Sequence, residues 1–483
     1  IGRQVKRKGM FAFLENGFPL LAEDIRMVIA GAGPEMDRIF QLKNKLDLNN
    51  RIIILESPTD DIAAMLRRNC DLFLMPNIPI SSDVEGYGIT PLESMYAETP
   101  VVAFAVDALV ESIREGGYLI PTGDYGAFVD QVHDFIVRTC ESLGSESREA
   151  NLVADQLVQA NLAGHDSHGV GMLPSYVDGV VNDRLKINSH PTVVVDAGAL
   201  LTVDGNAGYG QVNGFETMQM GIERAATHGV AVVGLRNSYH IGRIGHWAEQ
   251  CAASGYASMH LVNVIGHPPL VAPYGGAEAR FGTNPFCAAV PGRDGRPGFL
   301  LDMATSIIAG GKARVASNKG EKVPPDTIID IDGNLTDDPD AFGYTSPSGK
   351  RGGALVAFGD HKGSGLAIMC ELLGAALLGG ETAHPKNPRE GRIINSMLSV
   401  IIDPGALGNA ETYFDEIEMF RDFVLDSRLR SDCDQILVPG QPEELARIER
   451  ADGFEVDTVT LDQLRTSADR AGLPPAVFEA LVG

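Results

Sequence analysis

Residues 237 to 247 of the chain read NSYHIGRIGHW, which sets two imidazoles and a guanidinium (His240, Arg243 and His246) within seven positions. An imidazole titrates near neutrality and can give or take a proton from a reacting hydroxyl. A guanidinium beside it can hold a carboxylate or a phosphate through paired hydrogen bonds. The stretch falls between the apolar run HGVAVVGL and the run WAEQCAASG, the first patterned as a buried strand and the second as a helix. Rigid elements on both sides would hold such a loop still. His246 is expected on the following helix as support; the simpler alternative is that all three are ordinary solvated loop residues.

Further residues with chemical potential follow the same plan. His165 and His168 stand three apart in AGHDSHGVGM, where a helix with Ala150, Val153, Leu157 and Ala160 at 3,4 spacing should stop near Gly164. No HxxxH pair or cysteine partner follows them, so no metal is expected. GTNPF (282–286), LLDMATS (300–306) and GDHKGSGLA (359–367) each set small or polar residues directly against an apolar run. The second would place Asp302, Thr305 and Ser306 at a strand end, where hydroxyls and backbone N–H groups can meet a phosphate or a ribose. HKGSG should open a helix whose free N–H groups bind anions, with Gly363 and Gly365 allowing close approach. No GxGxxG follows a strand between 137 and 483, so a nicotinamide cofactor here would not sit on a Rossmann fold. The pattern alone reads as an enzyme with a phosphate-bearing ligand.

The elements that position these residues divide into two unlike halves, as 483 residues favour more than one domain. Apolar residues at 44% and charged residues at 21% are globular values with material for a core. A net charge of −25 argues against a nucleic acid or an anionic membrane as partner, since both require a basic face. Six cysteines without CxxC pairs read as reduced thiols of a cytoplasmic protein. No apolar stretch reaches the length of a membrane span. IGRQVKRKGM lacks the apolar core of a signal peptide and opens as a strand would, so the chain is expected to begin within a domain.

In the first half, IRMVIAGAG (25–33), RIIILES (51–57), CDLFLMP (70–76) and TPVVAFAV (99–106) alternate with helical stretches such as EMDRIFQLKNKLDL. Continuous apolar strands alternating with helices imply a parallel sheet. EGYGITPLE carries Glu85 and Glu93 eight residues apart. With GRQVKRKG, VIAGAGPE and REGGYLIPTGD, residues 1–136 resemble the nucleotide-sugar half of a GT-B glycosyltransferase of group 1. The resemblance implies a Rossmann-like parallel-sheet domain in which Arg3 and Lys8 hold a diphosphate and Glu85 and Glu93 hold the sugar and ribose. The acceptor-binding half of that fold is absent, so this region is expected to be a truncated, inactive remnant. The join is expected within helical sequence, around YGAFVDQVHDFIVRTCESLG.

AGHDSHGVGMLPSY, NSYHIGRIGHWAEQCA, VAPYGGAEARFGTNPF, LDMATS, HKGSGLA, NSMLSVIIDP and ILVPGQPE occur in that order in residues 137–483. Together they resemble the malate/L-lactate dehydrogenase family, an α/β fold that is not Rossmann, with closest likeness to its hydroxycarboxylate dehydrogenase branch. The resemblance implies metal-free hydride exchange between nicotinamide C4 and C2 of a 2-hydroxy or 2-oxo acid. His240, in the SxHxG motif, would be the acid/base. NAD, rather than NADP, would meet His168, Gly242, Arg243, Ile244, Leu300, Leu301, Asp302, Met303, Ala304, His361, Asn395, Gly440, Gln441, Pro442 and Glu443. A homodimer is implied too. Many members carry Arg four residues after the SHG histidine for the substrate carboxylate; here that position is Met172, with Arg243 or Arg280 as substitutes. Two rival readings are a bifunctional protein with live glycosyl transfer, and a non-catalytic protein whose first half is a nucleotide-sugar binding module.

Overall fold

A computed structural model describes residues 126–342, 352–387, 392–450, 453, 454, 456, 458–475, 477 and 478. Of the earlier chain it describes 5, 8, 10–16, 27–46, 48, 51–56, 58, 59, 62, 63, 65, 66, 70, 73–76, 101–104 and 118–120. Contacts group the chain into one unit ending at Gln131 and another spanning Val132–Phe478, a division that falls inside the Gly126–Ser142 helix.

In the first unit the apolar runs form parallel strands. β1 (Met27–Ala30) pairs with β2 (Ile52–Leu55), and β3 (Phe73–Met75), β4 (Val101–Phe104) and β5 (Tyr118–Ile120) form a second parallel sheet. Between β1 and β2 runs the Met36–Lys45 helix, which buries Met36, Ile39 and Leu42 at 3,3 spacing against Ile29 and Ile52. Lys8 lies in a tight turn closed by its N–H on the Val5 carbonyl at 2.9 Å. Arg3, Glu85 and Glu93 lie outside the described residues.

The second unit is built on a seven-stranded sheet. Its strands are β6 (Thr192–Ala197), β7 (Leu200–Asp204), β8 (Val230–Tyr239), β9 (Ala257–Ile265), β10 (Phe286–Pro291), β11 (Pro297–Met303) and β15 (Ile394–Ile402). The short strands β12 (Ile328–Ile329), β13 (Leu335–Thr336) and β14 (Ala354–Leu355) form a separate small sheet. The order β11-β10-β9-β15-β8-β7-β6 is antiparallel everywhere except between β7 and β8. That pairing is unlike the parallel sheet of a Rossmann fold. β15 arrives late in the chain and inserts between β8 and β9, so the middle of the sheet closes only when distant segments meet.

The core lies where the Gly210–His228 and Gly245–Ala253 helices cover this sheet, with Val233, Leu235, Val262, Met397 and Ile401 facing Met218, Trp247 and Ala248. Trp247 is 1% exposed, and its indole N–H donates to the Ile241 carbonyl at 3.1 Å. A methyl at Gly214 would fall 2.4 Å from the Trp247 ring, so glycine is what lets the two helices close on each other. Removing that indole would cost about 3–5 kcal/mol. Trp247 therefore anchors the loop before it.

Candidate active site

β8 ends at Tyr239, in register with Ile394 at the start of β15, and Ile394 in turn faces Ile265 at the end of β9. On the same border of the sheet β10 begins at Phe286 opposite Met303, where β11 ends. His240 is the first residue past β8, and the next helix starts at Gly245. A strand that is buried along most of its length stops here because Gly242 takes φ +70°. A Cβ at Gly242 would also lie only 2.0 Å from Gln156 Oε1, so a larger residue would have to push the buried Gln156 side chain aside. Gln156 Nε2 donates to the Ile241 carbonyl at 3.0 Å, and the Ile241 N–H donates to Asn395 Oδ1 at 3.0 Å. The turn carrying His240 is thus fastened from both sides.

His240 is 8% exposed. Its Nδ1 lies 2.7 Å from the Tyr176 hydroxyl, which also accepts from Gln211 Nε2 at 2.8 Å. Its ring stacks on His168, centroids 5.5 Å apart and 19° between planes. Burial pushes its pKa down to about 3, and like-charge repulsion from His168 and His267 adds to that. His168 is half-buried, holds Ser167 Oγ at 3.0 Å through Nδ1, and is pushed down to about 4 by burial with His165 and Arg243 nearby. Both rings are neutral at pH 7, so each presents one donor and one acceptor nitrogen.

The segments expected to meet a nucleotide converge here. The Leu300 N–H donates to the Pro439 carbonyl at 3.1 Å, and Gly440, at φ +95°, packs so tightly that a Cβ would lie 3.1 Å from Leu300. Asp302 Oδ2 accepts from the Gly245 N–H at 2.8 Å, which joins the end of β11 to the start of the helix after His240. The Phe358 N–H donates to the Thr305 carbonyl at 3.0 Å, so the loop leading to His361 abuts the same strand end. His361 is exposed, with its ring edge on Tyr274 at 5.9 Å. Glu443, in the Gln441–Glu449 helix, faces His165 Nε2 at 3.1 Å. Ile244 is buried at the helix start, Leu301 is 37% exposed, Met303 and Ala304 are half-buried, Gln441 accepts from the Val438 N–H at 3.1 Å, and Pro442 is exposed.

Arg243 is turned inward. Its side chain is 1% exposed and hydrogen-bonded to Glu249, with Asp302 Oδ2 at 3.9 Å. Burial opposes its charge, but Glu249 and Asp302 outweigh that and its pKa is raised. Glu249 also accepts from Arg447 at 2.7 Å, and its carboxyl is held below the usual range by the two arginines despite burial. Asp302 moves the other way, because burial exceeds the pull of Arg243. Arg243 Nη1 is buried without a hydrogen-bond partner among the described residues. With Arg243 turned inward, the fit to NAD(P) rests on Asp302, whose carboxylate at the end of β11 is an acceptor suited to the hydroxyls of a ribose.

Some expectations are corrected. Thr305 Oγ1 donates to the Thr283 carbonyl and Ser306 Oγ to the Ile308 carbonyl, both at 2.8 Å, so these buried hydroxyls clamp the loop rather than face a ligand. Gly363 serves chain packing, since a Cβ there would lie 2.1 Å from the Phe358 carbonyl, whereas Gly365 has open space. Arg280 is exposed and paired with Glu278. His246 sits, as expected, on the Gly245–Ala253 helix, edge-on to Trp247 at 5.0 Å, and is pushed down to about 4 by burial. Tyr176, Gln211, Gln156 and Glu249 were not singled out by sequence. Tyr176 closes the motif AGHDSHGVGMLPSY, the one signal that could have raised it.

Residues 128–465 match the family model for malate/L-lactate dehydrogenase, and residues 1–149 match that for glycosyl transferases group 1. Hydroxycarboxylate dehydrogenase B of Escherichia coli K12 is 46% identical over 356 residues, covering 72% of this chain and 95% of its own. L-lactate dehydrogenase of Cupriavidus necator is 38% identical, covering 64% of this chain and 87% of its own. Among solved structures, sulfolactate dehydrogenase from Methanocaldococcus jannaschii has 31% identity and a TM-score of 0.63, covering 72% of this chain and 97% of its own. The chain belongs to the malate/L-lactate dehydrogenase family, with a glycosyl transferases group 1 match at its N-terminus.

Proposed function

We propose that residues 137–483 form an oxidoreductase that exchanges a hydride between a nicotinamide cofactor and C2 of a 2-hydroxy or 2-oxo carboxylic acid, with His240 as acid/base. The observation that carries this is the buried, neutral His240, held through Nδ1 at the border of the sheet where the 242–244, 300–304 and 440–443 segments meet. Relatives named hydroxycarboxylate, L-lactate and L-sulfolactate dehydrogenase support the substrate class.

Nicotinamide, when bound, supplies the carbon that takes or gives the hydride. His240 Nε2 takes the hydroxyl proton as the C2–H bond breaks and the carbonyl forms, and returns it in the reverse direction. Burial keeps the ring neutral at pH 7, so that one of its two nitrogens has a free lone pair. An anionic substrate bound beside the ring raises its basicity and lets it retain the proton. Cofactor contacts are assigned to His168, Gly242 to Ile244, Leu300 to Ala304, His361, Asn395 and Gly440 to Glu443. NAD is the proposed cofactor, and a cytoplasmic homodimer the proposed form. Residues 1–136 are assigned as a nucleotide-sugar type domain without a part in this chemistry.

The stacking of His168 on His240 favours a second reading, in which the more open His168 exchanges the proton and His240 orients it. A panel of 2-oxo acids tested for NADH and NADPH consumption examines the whole proposal. Turnover of at least one acid is expected, and its loss in His240→Ala but not His168→Ala separates the two assignments. No turnover with any 2-oxo or cyclic imino acid would contradict the function.

A further inference from the structure

Tyr176 and Gln211 reach His240 from two different helices, Leu173–Val181 and Gly210–His228. Tyr176 is fully buried and Gln211 is 1% exposed. The edges of Tyr209 and Tyr239 lie against the Tyr176 ring at 5.9 and 6.1 Å and fix where its hydroxyl points. We propose that Gln211 and Tyr176 form a reversible hydrogen-bond relay that decides which ring nitrogen of His240 carries its resting proton. Both are positioning residues for the proton transfer, and the proposal rests on the reading of His240 as acid/base.

The argument is one of counting hydrogens. The Tyr176 hydroxyl has a single hydrogen. Gln211 Nε2 donates to it at 2.8 Å, so that hydrogen points to His240 Nδ1 at 2.7 Å. A neutral ring that accepts at Nδ1 must carry its proton on Nε2. This form cannot take a proton from a substrate hydroxyl. The working base needs the opposite arrangement, with Nδ1–H donating to Tyr176 and the Nε2 lone pair free. The imidazolium formed by proton transfer needs the same arrangement, because both its nitrogens are donors.

Tyr176 can then accept from His240 only if its own hydrogen finds another acceptor. Gln211 supplies one. Its Oε1 is buried and without a hydrogen-bond partner among the described residues. A half-turn of the carboxamide brings Oε1 to the hydroxyl, whose hydrogen swings to it from His240 Nδ1, and the ring then exchanges tautomers through solvent, taking up one proton at Nδ1 and releasing the one on Nε2. One end of the amide is unbonded in either orientation, so the turn exchanges one hydrogen bond for another. Glutamine offers a donor and an acceptor in the same shape, which methionine or leucine at that place could not.

The test uses the full chain with Tyr176→Phe, Gln211→Met, His240→Ala and the double variant Tyr176→Phe/His240→Ala. Oxidation of the best 2-hydroxy acid is followed across pH, with cofactor binding read from Trp247 emission. Tyr176→Phe should lower kcat about 10- to 100-fold, the scale of a misplaced reacting group, with KM and cofactor binding within about threefold of wild type. Gln211→Met should fall between Tyr176→Phe and wild type. In both, the acidic limb of the pH profile should move to lower pH, because the imidazolium loses an acceptor for Nδ1–H. Adding Tyr176→Phe to His240→Ala should cause no further loss. Wild-type kcat and an unmoved limb in Tyr176→Phe, beside an inactive His240→Ala, would overturn the relay alone. An active His240→Ala would overturn the acid/base reading, and the relay with it. Should Tyr176→Phe fail to fold, Gln211→Met decides by the same limb.

Discussion

Glu249→Leu offers a quantitative check on how the loop after His240 is held. Glu249 is the carboxylate that faces both Arg243, whose side chain is 1% exposed, and Arg447. Deleting one member of a buried pair leaves the other charge without compensation and costs about 3–5 kcal/mol. Two features place this case at the lower end. Asp302 remains 3.9 Å from Arg243, and Glu249 itself is 21% exposed. The unfolding free energy of the second unit should therefore fall by about 3 kcal/mol, roughly a 150-fold change in the folded-to-unfolded ratio. Arg243→Met with Glu249→Leu should recover at least half of it, since an apolar pair asks for no charge to be buried. Urea denaturation followed by tryptophan emission is the assay. Trp247 is the only tryptophan of the chain and lies on the helix that carries Glu249. A loss under about 1 kcal/mol for Glu249→Leu would place the pair among exposed salt bridges. It would refute the idea that Arg243 is locked from within.

Acid should destabilise the second unit. His168, His240, His246 and His260 all have pKa values pushed below the usual 6.5 by burial, to about 4, 3, 4 and 3. Each unfolded histidine binds a proton that the folded one refuses, so the stability is complete above about pH 6.5 and is lost as pH falls towards those values. His260, bonded at both ring nitrogens to Ser258 and Ser399 at 3.0 and 2.8 Å, lies in the sheet rather than the site. His260→Asn should flatten the decline of urea midpoint between pH 6.5 and 4, and an unchanged slope would count against a neutral buried ring. NADH should give higher kcat/KM than NADPH. A 2′-phosphate favours a free bidentate guanidinium, whereas Arg243, Arg447 and Arg450 already face Glu249 or Asp166. Equal or better kcat/KM with NADPH would overturn that preference.

What the sequence revealed about the site was its local part. The switch from VAVVGL to polar residues at 236 foretold the end of β8 to within a few residues: the strand runs on through Arg236, Asn237 and Ser238 to Tyr239 before the turn at Gly242. Ala150, Val153, Leu157 and Ala160 announced the Ser147–Leu162 helix, where all four are buried. The relations between segments were hidden. Arg243 reads as an open cation until the Gly245–Ala253 helix brings Glu249 round to it, six residues on. Thr305 and Ser306 look like ligand hydroxyls until their carbonyl partners on neighbouring turns are seen. Tyr176 and Gln211 lie 64 and 29 residues before His240, and only the folded helices bring them to one ring. Nor does periodicity reveal that β15 enters between β8 and β9, since pairing across that distance leaves no local pattern.

The central claim is that His240 moves the substrate proton, and His240→Ala tests it most directly. The measurement is kcat at saturating 2-oxo acid and NADH, with cofactor affinity read in parallel from Trp247 emission. A positioned general acid/base is worth about 100- to 10,000-fold, or about 3–5 kcal/mol of barrier. The predicted result is a fall of that size in kcat with NADH affinity within a few-fold of wild type, and a far smaller effect for His246→Ala. A His240→Ala enzyme that keeps more than about a tenth of wild-type kcat, a penalty of only ~1.4 kcal/mol, would contradict it.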